Sequence, residues 1–153
     1  MSEYYIPSTP GEAEFTEKRS RFLGHVRCIE TEDEAKAFVA EMKKKYYDAR
    51  HNCWCYIIRN GAERYSDDGE PQGTAGIPML EVLRRQNMTN CVCVVTRYFG
   101  GVLLGAGVLL RAYTKSAGDA LAAAGTSVVR PWSCMDVPCS YSGAERLKTE
   151  CTA

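Results

Sequence analysis

One run of residues sets the terms. Cys91-Val-Cys-Val-Val-Thr96 is apolar at every position but its last, the composition of a strand in the middle of a sheet. Around it the sequence alternates between strand and helix periods. Residues 14–17 and 21–29 read as two strands broken at Lys18-Arg19-Ser20, with Phe22, Gly24, Val26 and Cys28 on one face. Thr31-Glu-Asp-Glu34 is a capping box, and the helix it opens runs to about Tyr46. Ala35, Phe38, Val39, Met42 and Tyr46 recur along it at three and four, a stripe that buries on a core. Acids fill its first turn and Lys43-Lys44-Lys45 its last, as the helix dipole favours.

Residues 53–59 and 62–66 flank Asn60-Gly61, the signal of a hairpin with a type I′ turn. A polar loop, Asp67 to Thr74, leads into a short helix over 75–86, which tolerates Pro78 in its first turn. After the central strand a glycine-rich stretch opens a helix over 108–124, stopped by Gly125, and residues 126–130 form another strand. The order strand, helix, hairpin, helix, strand, helix, strand predicts a two-layer α+β sandwich. From Ser133 something new begins, with a strand over 135–139 and a capped helix from Ser142.

Composition narrows the class. A chain of 153 residues with 45% hydrophobic and 25% charged side chains can bury a core without staples. Its longest apolar run, 102–110, is interrupted by two glycines and far too short to span a bilayer, and MSEYYIPSTPGE carries no signal-peptide pattern. Eight cysteines without a secretory signal point to a reducing, cytoplasmic setting. Cys53 and Cys55, like Cys91 and Cys93, are spaced by two and share a strand face, which fits buried apolar cysteine better than zinc, even with His51 adjacent. Lys plus Arg equals Asp plus Glu at 19 each, yet between Pro71 and Gly118 five cations (Arg84, Arg85, Arg97, Arg111, Lys115) face Glu81 alone. An anionic partner would therefore meet a patch.

The glycines between strand and helix, Gly100, Gly101, Gly105 and Gly107, can turn backbone N–H groups toward an anion at the helix N-terminus. Arg111 and Lys115 stand in the first turns of that helix, where the dipole disfavours cations unless something negative is near. The same residues also fit simple close packing, with Arg111 paired to Asp67 or Asp68. No Walker or dinucleotide fingerprint completes the stretch. Asp67, Asp68 and Glu70 suit either a magnesium ion or a polar turn that caps the next helix. His25 reads as packed or surface histidine; His51, beside Arg50 and just before a strand, is better placed for function.

Two long motifs carry a resemblance. Asp67-Asp-Gly-Glu-Pro-Gln-Gly-Thr-Ala-Gly-Ile-Pro78 and Val95-Thr-Arg-Tyr-Phe-Gly-Gly-Val-Leu-Leu-Gly105, continuing to Arg111-Ala-Tyr113, are similar to the two signatures of the YigZ/IMPACT family. Ser20-Arg-Phe22 and His51-Asn-Cys53 also fit, and the resemblance covers residues 12–131. Val108 stands where the family usually has a further glycine, and Cys55 where alanine is common. The resemblance implies the sandwich of the ribosomal-protein, elongation-factor-G and RNase PH type, with a left-handed β-α-β crossover. It implies a family domain over 1–132 and, over 133–153, the start of a truncated ferredoxin-like domain. It also implies a role in regulating translation, with no catalytic residue and no cofactor or metal assigned.

The resulting expectation is a cytoplasmic, translation-associated regulator that binds RNA or a ribosomal or translation-factor partner, with no membrane contact. Arg97, Gly100, Gly101, Gly105, Gly107, Arg111 and Lys115 form its basic, glycine-lined face, and Arg50, His51, Asp67, Asp68, Glu70 and Thr74 its neighbours. Arginines and glycine N–H groups meet phosphate, and Tyr98 or Phe99 stacks on bases. On this reading Arg97→Ala and Arg111→Ala weaken RNA binding at unchanged stability. Two other classes stay open: a metal-dependent hydrolase of a small phosphorylated or peptide substrate, and a pure protein-interaction module.

Overall fold

The computed structural model describes residues 2–151. Its strands are β1 (Tyr4–Pro7), β2 (Gly11–Glu17), β3 (Ser20–Cys28), β4 (His51–Ile57), β5 (Glu63–Ser66), β6 (Cys91–Tyr98) and β7 (Thr126–Val129). Its helices are α1 (Glu32–Lys45), α2 (Gly76–Arg85), α3 (Ala106–Ala124) and α4 (Tyr141–Cys151). Five strands form one sheet in the order β2-β3-β6-β4-β5, with every neighbouring pair antiparallel. The apolar run is its central strand, β6. β1 and β7 pair into a small second sheet, Tyr4 opposite Val129 and Pro7 opposite Thr126.

Helices cover both faces of the large sheet, which corrects the two-layer expectation to three layers. Val92 and Val94 of β6 cluster with Tyr56 and with Phe38, Val39 and Met42 of α1. The alternate residues Cys91, Cys93 and Val95 cluster with Met79 and Leu83 of α2 and Tyr113 and Ala117 of α3. A β6 apolar at both parities therefore has a partner on each side. Cys53, Cys55, Cys91 and Cys93 are all fully buried free thiols, the packing role read from their spacing. α3 lies close on β3 because Gly24 has no side chain: a Cβ there would stand 2.7 Å from the Ser116 carbonyl oxygen.

Local signals resolve in detail. Thr31 Oγ1 accepts from the Glu34 N–H at 3.1 Å, while the Glu34 carboxylate takes the Glu30 N–H at 2.8 Å rather than that of Thr31. At the Asn60-Gly61 turn only Asn60 has positive φ, so no type I′ turn forms. The loop instead closes through Ile58 N–H to Ala62 O, and Asn90 Oδ1 takes the Arg59 N–H at 2.9 Å. The strand expected over 135–139 does not form: that stretch is exposed and irregular. α4 follows it with Ser140, not Ser142, accepting the Gly143 N–H, and buries none of its residues. Among the described residues no helix is long and apolar enough to cross a membrane.

Candidate functional site

The two sequence motifs meet at one end of the large sheet, on the α3 side. Register places Phe22 of β3, Arg97 of β6 and His51 of β4 in a line across three strands. Tyr113 of α3 lies above that line, and its ring meets Phe22 edge-on at 5.3 Å between centroids. Glu70 enters from the loop between β5 and α2. The Arg97 Nη1 donates to Glu70 Oε1 at 2.7 Å, and the Tyr113 hydroxyl donates to the same oxygen at 2.7 Å. Ser20 Oγ accepts from Nε and Nη2 of Arg97, at 3.3 Å each. Burial, the buried Cys53 thiol and the Glu70 carboxylate together push the Tyr113 phenol far above its usual range, so it remains a donor.

The aspartates hold the loop that delivers Glu70. Asp67 Oδ1 accepts the N–H groups of Ala75 and Gly76 at the start of α2, at 3.2 and 2.8 Å, and Oδ2 accepts that of Gly73 at 3.0 Å. Ala75 offers no side-chain cap, so Asp67 supplies one from eight residues upstream. Asp68 Oδ2 takes the Asn52 N–H at 2.7 Å, tying the loop to β4. The helix-capping role of this loop, one of its two readings, is thus the one the hydrogen bonds bear out. Among the described residues no group of three or more His, Cys, Asp or Glu is arranged to hold a metal ion.

Arg97 is the main correction. It is 5% exposed and ion-paired inside the fold, so it offers no free guanidinium to a phosphate. Gly100 likewise serves packing: a Cβ there would stand 1.9 Å from the Arg19 carbonyl oxygen in the β2–β3 turn. Gly101, Gly105 and Gly107 are exposed, and Gly105 caps α3 with no side-chain hydrogen bond and no acid in the first turn. Tyr98 is held by Asp48 at 2.8 Å, which leaves Phe99, 36% exposed, as the accessible ring. Two guanidinium carbons lie over that ring, that of Arg50 at 5.1 Å and that of Arg97 at 5.8 Å from the centroid.

Arg111 and Lys115 come together, though not with Arg97. They line a cavity of about 450 Å³ with Phe15, Lys18 and Glu17 between α3 and the β2–β3 turn. Arg111 makes no salt bridge among the described residues, to Asp67, Asp68 or any other acid, and neither do Lys18 and Arg19; Lys115 pairs with Asp119 at 2.7 Å. A second cavity of about 240 Å³ opens on the other side of the α3 start, with His51, Glu70 and Arg97 at its polar end and Phe99, Leu103 and Leu109 on its walls. Sequence reasoning missed Lys18 and Phe15 as members of the face. The available signal was two adjacent cations at a hairpin turn, and both Lys18 and Arg19 take positive φ there.

The Impact N-terminal domain model matches residues 18–121. The chain belongs to the IMPACT family. It is 39% identical over 152 residues to IMPACT family member YvyE of Bacillus subtilis, covering 98% of this chain and 70% of that one. It is 35% identical over 158 residues to IMPACT family member YigZ of Escherichia coli, covering 99% and 78%. A crystal structure of a hypothetical protein superposes with a TM-score of 0.79 at 33% identity, covering 99% of this chain and 77% of that one. The family match includes both motifs that build the Arg97–Glu70–Tyr113 network, along with Lys18, Arg50, His51 and Arg111.

Proposed function

We propose that this IMPACT-family chain is a translation-associated regulatory protein that binds RNA along the basic face at the start of α3. The observation that carries the reading is the cavity lined by Lys18, Arg111 and Lys115 beside Phe15. Three cations around one aromatic ring are the ingredients of a site that tracks a phosphate backbone and stacks bases. The Arg111 guanidinium reaches back over the first turn, with Nη1 3.4 Å from where a Gly107 Cβ would stand. A cation held against the positive end of a helix dipole is eased by an anion beside it. The translation role is what the likeness of the two motifs to the family implies. The kinship with elongation-factor-G and RNase PH domains and the left-handed crossover belong to the same proposal. So does a second, ferredoxin-like unit opening near Ser133, supported by an α4 that buries no side chain.

A metal-dependent hydrolase is the weaker reading, because Asp67 and Asp68 already accept backbone N–H groups. Anisotropy of a labelled single-stranded RNA, titrated with the protein at low and moderate salt, tests the proposal. Binding that weakens steeply with salt supports it; no binding at the lowest salt overturns it.

A further inference from the structure

At the polar end of the cavity beside Phe99 lie two hydrogen-bond acceptors that do not satisfy each other. Glu70 Oε1 is already occupied by Arg97 and Tyr113. Glu70 Oε2 accepts no hydrogen bond among the described residues, and it faces His51 Nε2 at 3.7 Å. The Nδ1 of the same imidazole lies 2.7 Å from the Asp68 carbonyl oxygen. A carbonyl only accepts, so Nδ1 carries a hydrogen, and in the tautomer with that hydrogen alone Nε2 presents a lone pair. Were Nε2 protonated as well, the two would attract as an ion pair at 3.7 Å but would not share a hydrogen bond, so Glu70 Oε2 would still have a lone pair for a donor. The Glu70 side chain is 2% exposed and that of His51 15%, so the pair faces the cavity rather than open solvent.

We propose that this cavity binds a nucleobase bearing an exocyclic amino group, with one N–H on His51 Nε2 and the other on Glu70 Oε2. One nitrogen with two hydrogens satisfies two facing acceptors, where a hydroxyl satisfies one. An aromatic amine is also neutral. Arg97 already balances Glu70, and Arg50 stands at the same cavity, so an ammonium would add charge to a site that has no acid left for it. Phe99, Leu103, Leu104 and Leu109 give the ring apolar walls, and the Arg50 guanidinium lies over Phe99. At about 240 Å³ the cavity is smaller than those that hold drug-sized ligands and suits a fragment the size of one base.

This inference rests on the RNA reading and deepens it. Val108 lines the basic cavity and Leu109 the present one, so the two flank consecutive residues of α3. A strand whose phosphates follow Lys18 and Arg111 passes the mouth of the base cavity, the splayed-base mode common in single-strand RNA recognition. Adenine, cytosine and guanine carry the amine; uracil has a single N3–H flanked by carbonyl oxygens, so it can satisfy only one of the two acceptors and sets an oxygen against the other.

The test compares labelled RNA hexamers of adenosine, cytidine, uridine and purine riboside, the last being adenosine without its amine, by anisotropy with the full chain. The cavity predicts adenosine and cytidine hexamers to bind about tenfold more tightly than uridine and purine hexamers, a difference of about 1.4 kcal/mol. His51→Leu also loses the hydrogen bond to the Asp68 carbonyl and should melt somewhat lower. Measured below that melting temperature, where the variant is folded, it should lose the base preference while still binding RNA through the basic face. Equal binding of all four hexamers, or a preference that survives in His51→Leu, overturns the base cavity and leaves the RNA reading standing. Failure of every hexamer to bind at low salt overturns both.

Discussion

Arg97 and Glu70, 27 positions apart in the chain, close on each other at 2.7 Å with side chains only 7% and 2% exposed. The pair joins the two family motifs, and it changes what Arg97 can be. Removing either partner leaves a buried charge uncompensated, at a cost of about 3–5 kcal/mol. Arg97→Ala and Glu70→Ala should each lower the urea midpoint by that equivalent. The double variant Arg97→Met with Glu70→Gln should lose less than the sum of its single variants. Singles within about 0.5 kcal/mol of wild type would mean that the pair does not hold the motifs together.

Two glycines of the same loop and helix separate packing from exposure. Gly100→Ala would drive a Cβ into the Arg19 backbone and should destabilise by about 1–3 kcal/mol. Gly107 lies in an exposed first turn of α3, with only the flexible Arg111 side chain near. Gly107→Ala should leave stability unchanged or raise it by up to about 1 kcal/mol, since alanine favours helix. Thermal melts of both variants check the contrast.

The histidine on the far face gives a pH dependence with a definite sign. His25 is 9% exposed, with Nδ1 lacking a hydrogen-bond partner and Nε2 3.5 Å from Glu12. Burial holds its pKa below the usual 6.5, opposed in part by the Glu12 carboxylate. The unfolded chain therefore takes up this proton at higher pH than the folded one. Stability should fall as pH drops below about 6.5 and level off once the folded-state pKa is passed. Urea midpoints between pH 7.5 and 5 should show this in wild type and a flatter profile in His25→Leu.

The thiols divide evenly. Cys53, Cys55, Cys91 and Cys93 are buried, and Cys28, Cys134, Cys139 and Cys151 exposed. Burial raises the Cys53, Cys55 and Cys91 thiols well above their usual range, which suppresses the reactive thiolate. A chromogenic disulfide reagent should titrate four thiols in the native protein and all eight in denaturant. Cys28 should be the slowest of the four, because desolvation and the neighbouring Glu30 and Glu34 raise its pKa as well.

Much of the fold was legible because its signals are local. The Thr31 N-cap of α1, the stripe Ala35–Phe38–Val39–Met42 and the run in β6 are each written in neighbouring residues. β1 was not legible: four residues ending in proline gain strand form only by pairing with β7, more than a hundred positions away. The same limit explains the site. Arg97 looks like a free cation in sequence, because nothing local says that Glu70 arrives over it from another loop. Lys18 looks like a mere turn residue, although folding sets it beside Arg111. The third layer was hidden as well, since an apolar strand does not say which helix covers which face.

The central claim is a phosphate-contacting face at the start of α3, and the salt dependence of RNA binding tests it most directly. The measurement is the slope of log affinity against log salt for wild type and for the combined Lys18→Ala, Arg111→Ala, Lys115→Ala variant, with melting temperatures alongside. All three side chains line the exposed cavity rather than the Arg97–Glu70 core, so the fold should persist. Each lost phosphate contact should reduce the slope by about 0.7 for single-stranded RNA. A slope shallower by about 2 at unchanged melting temperature is the predicted result. An unchanged slope in a folded variant would contradict the account.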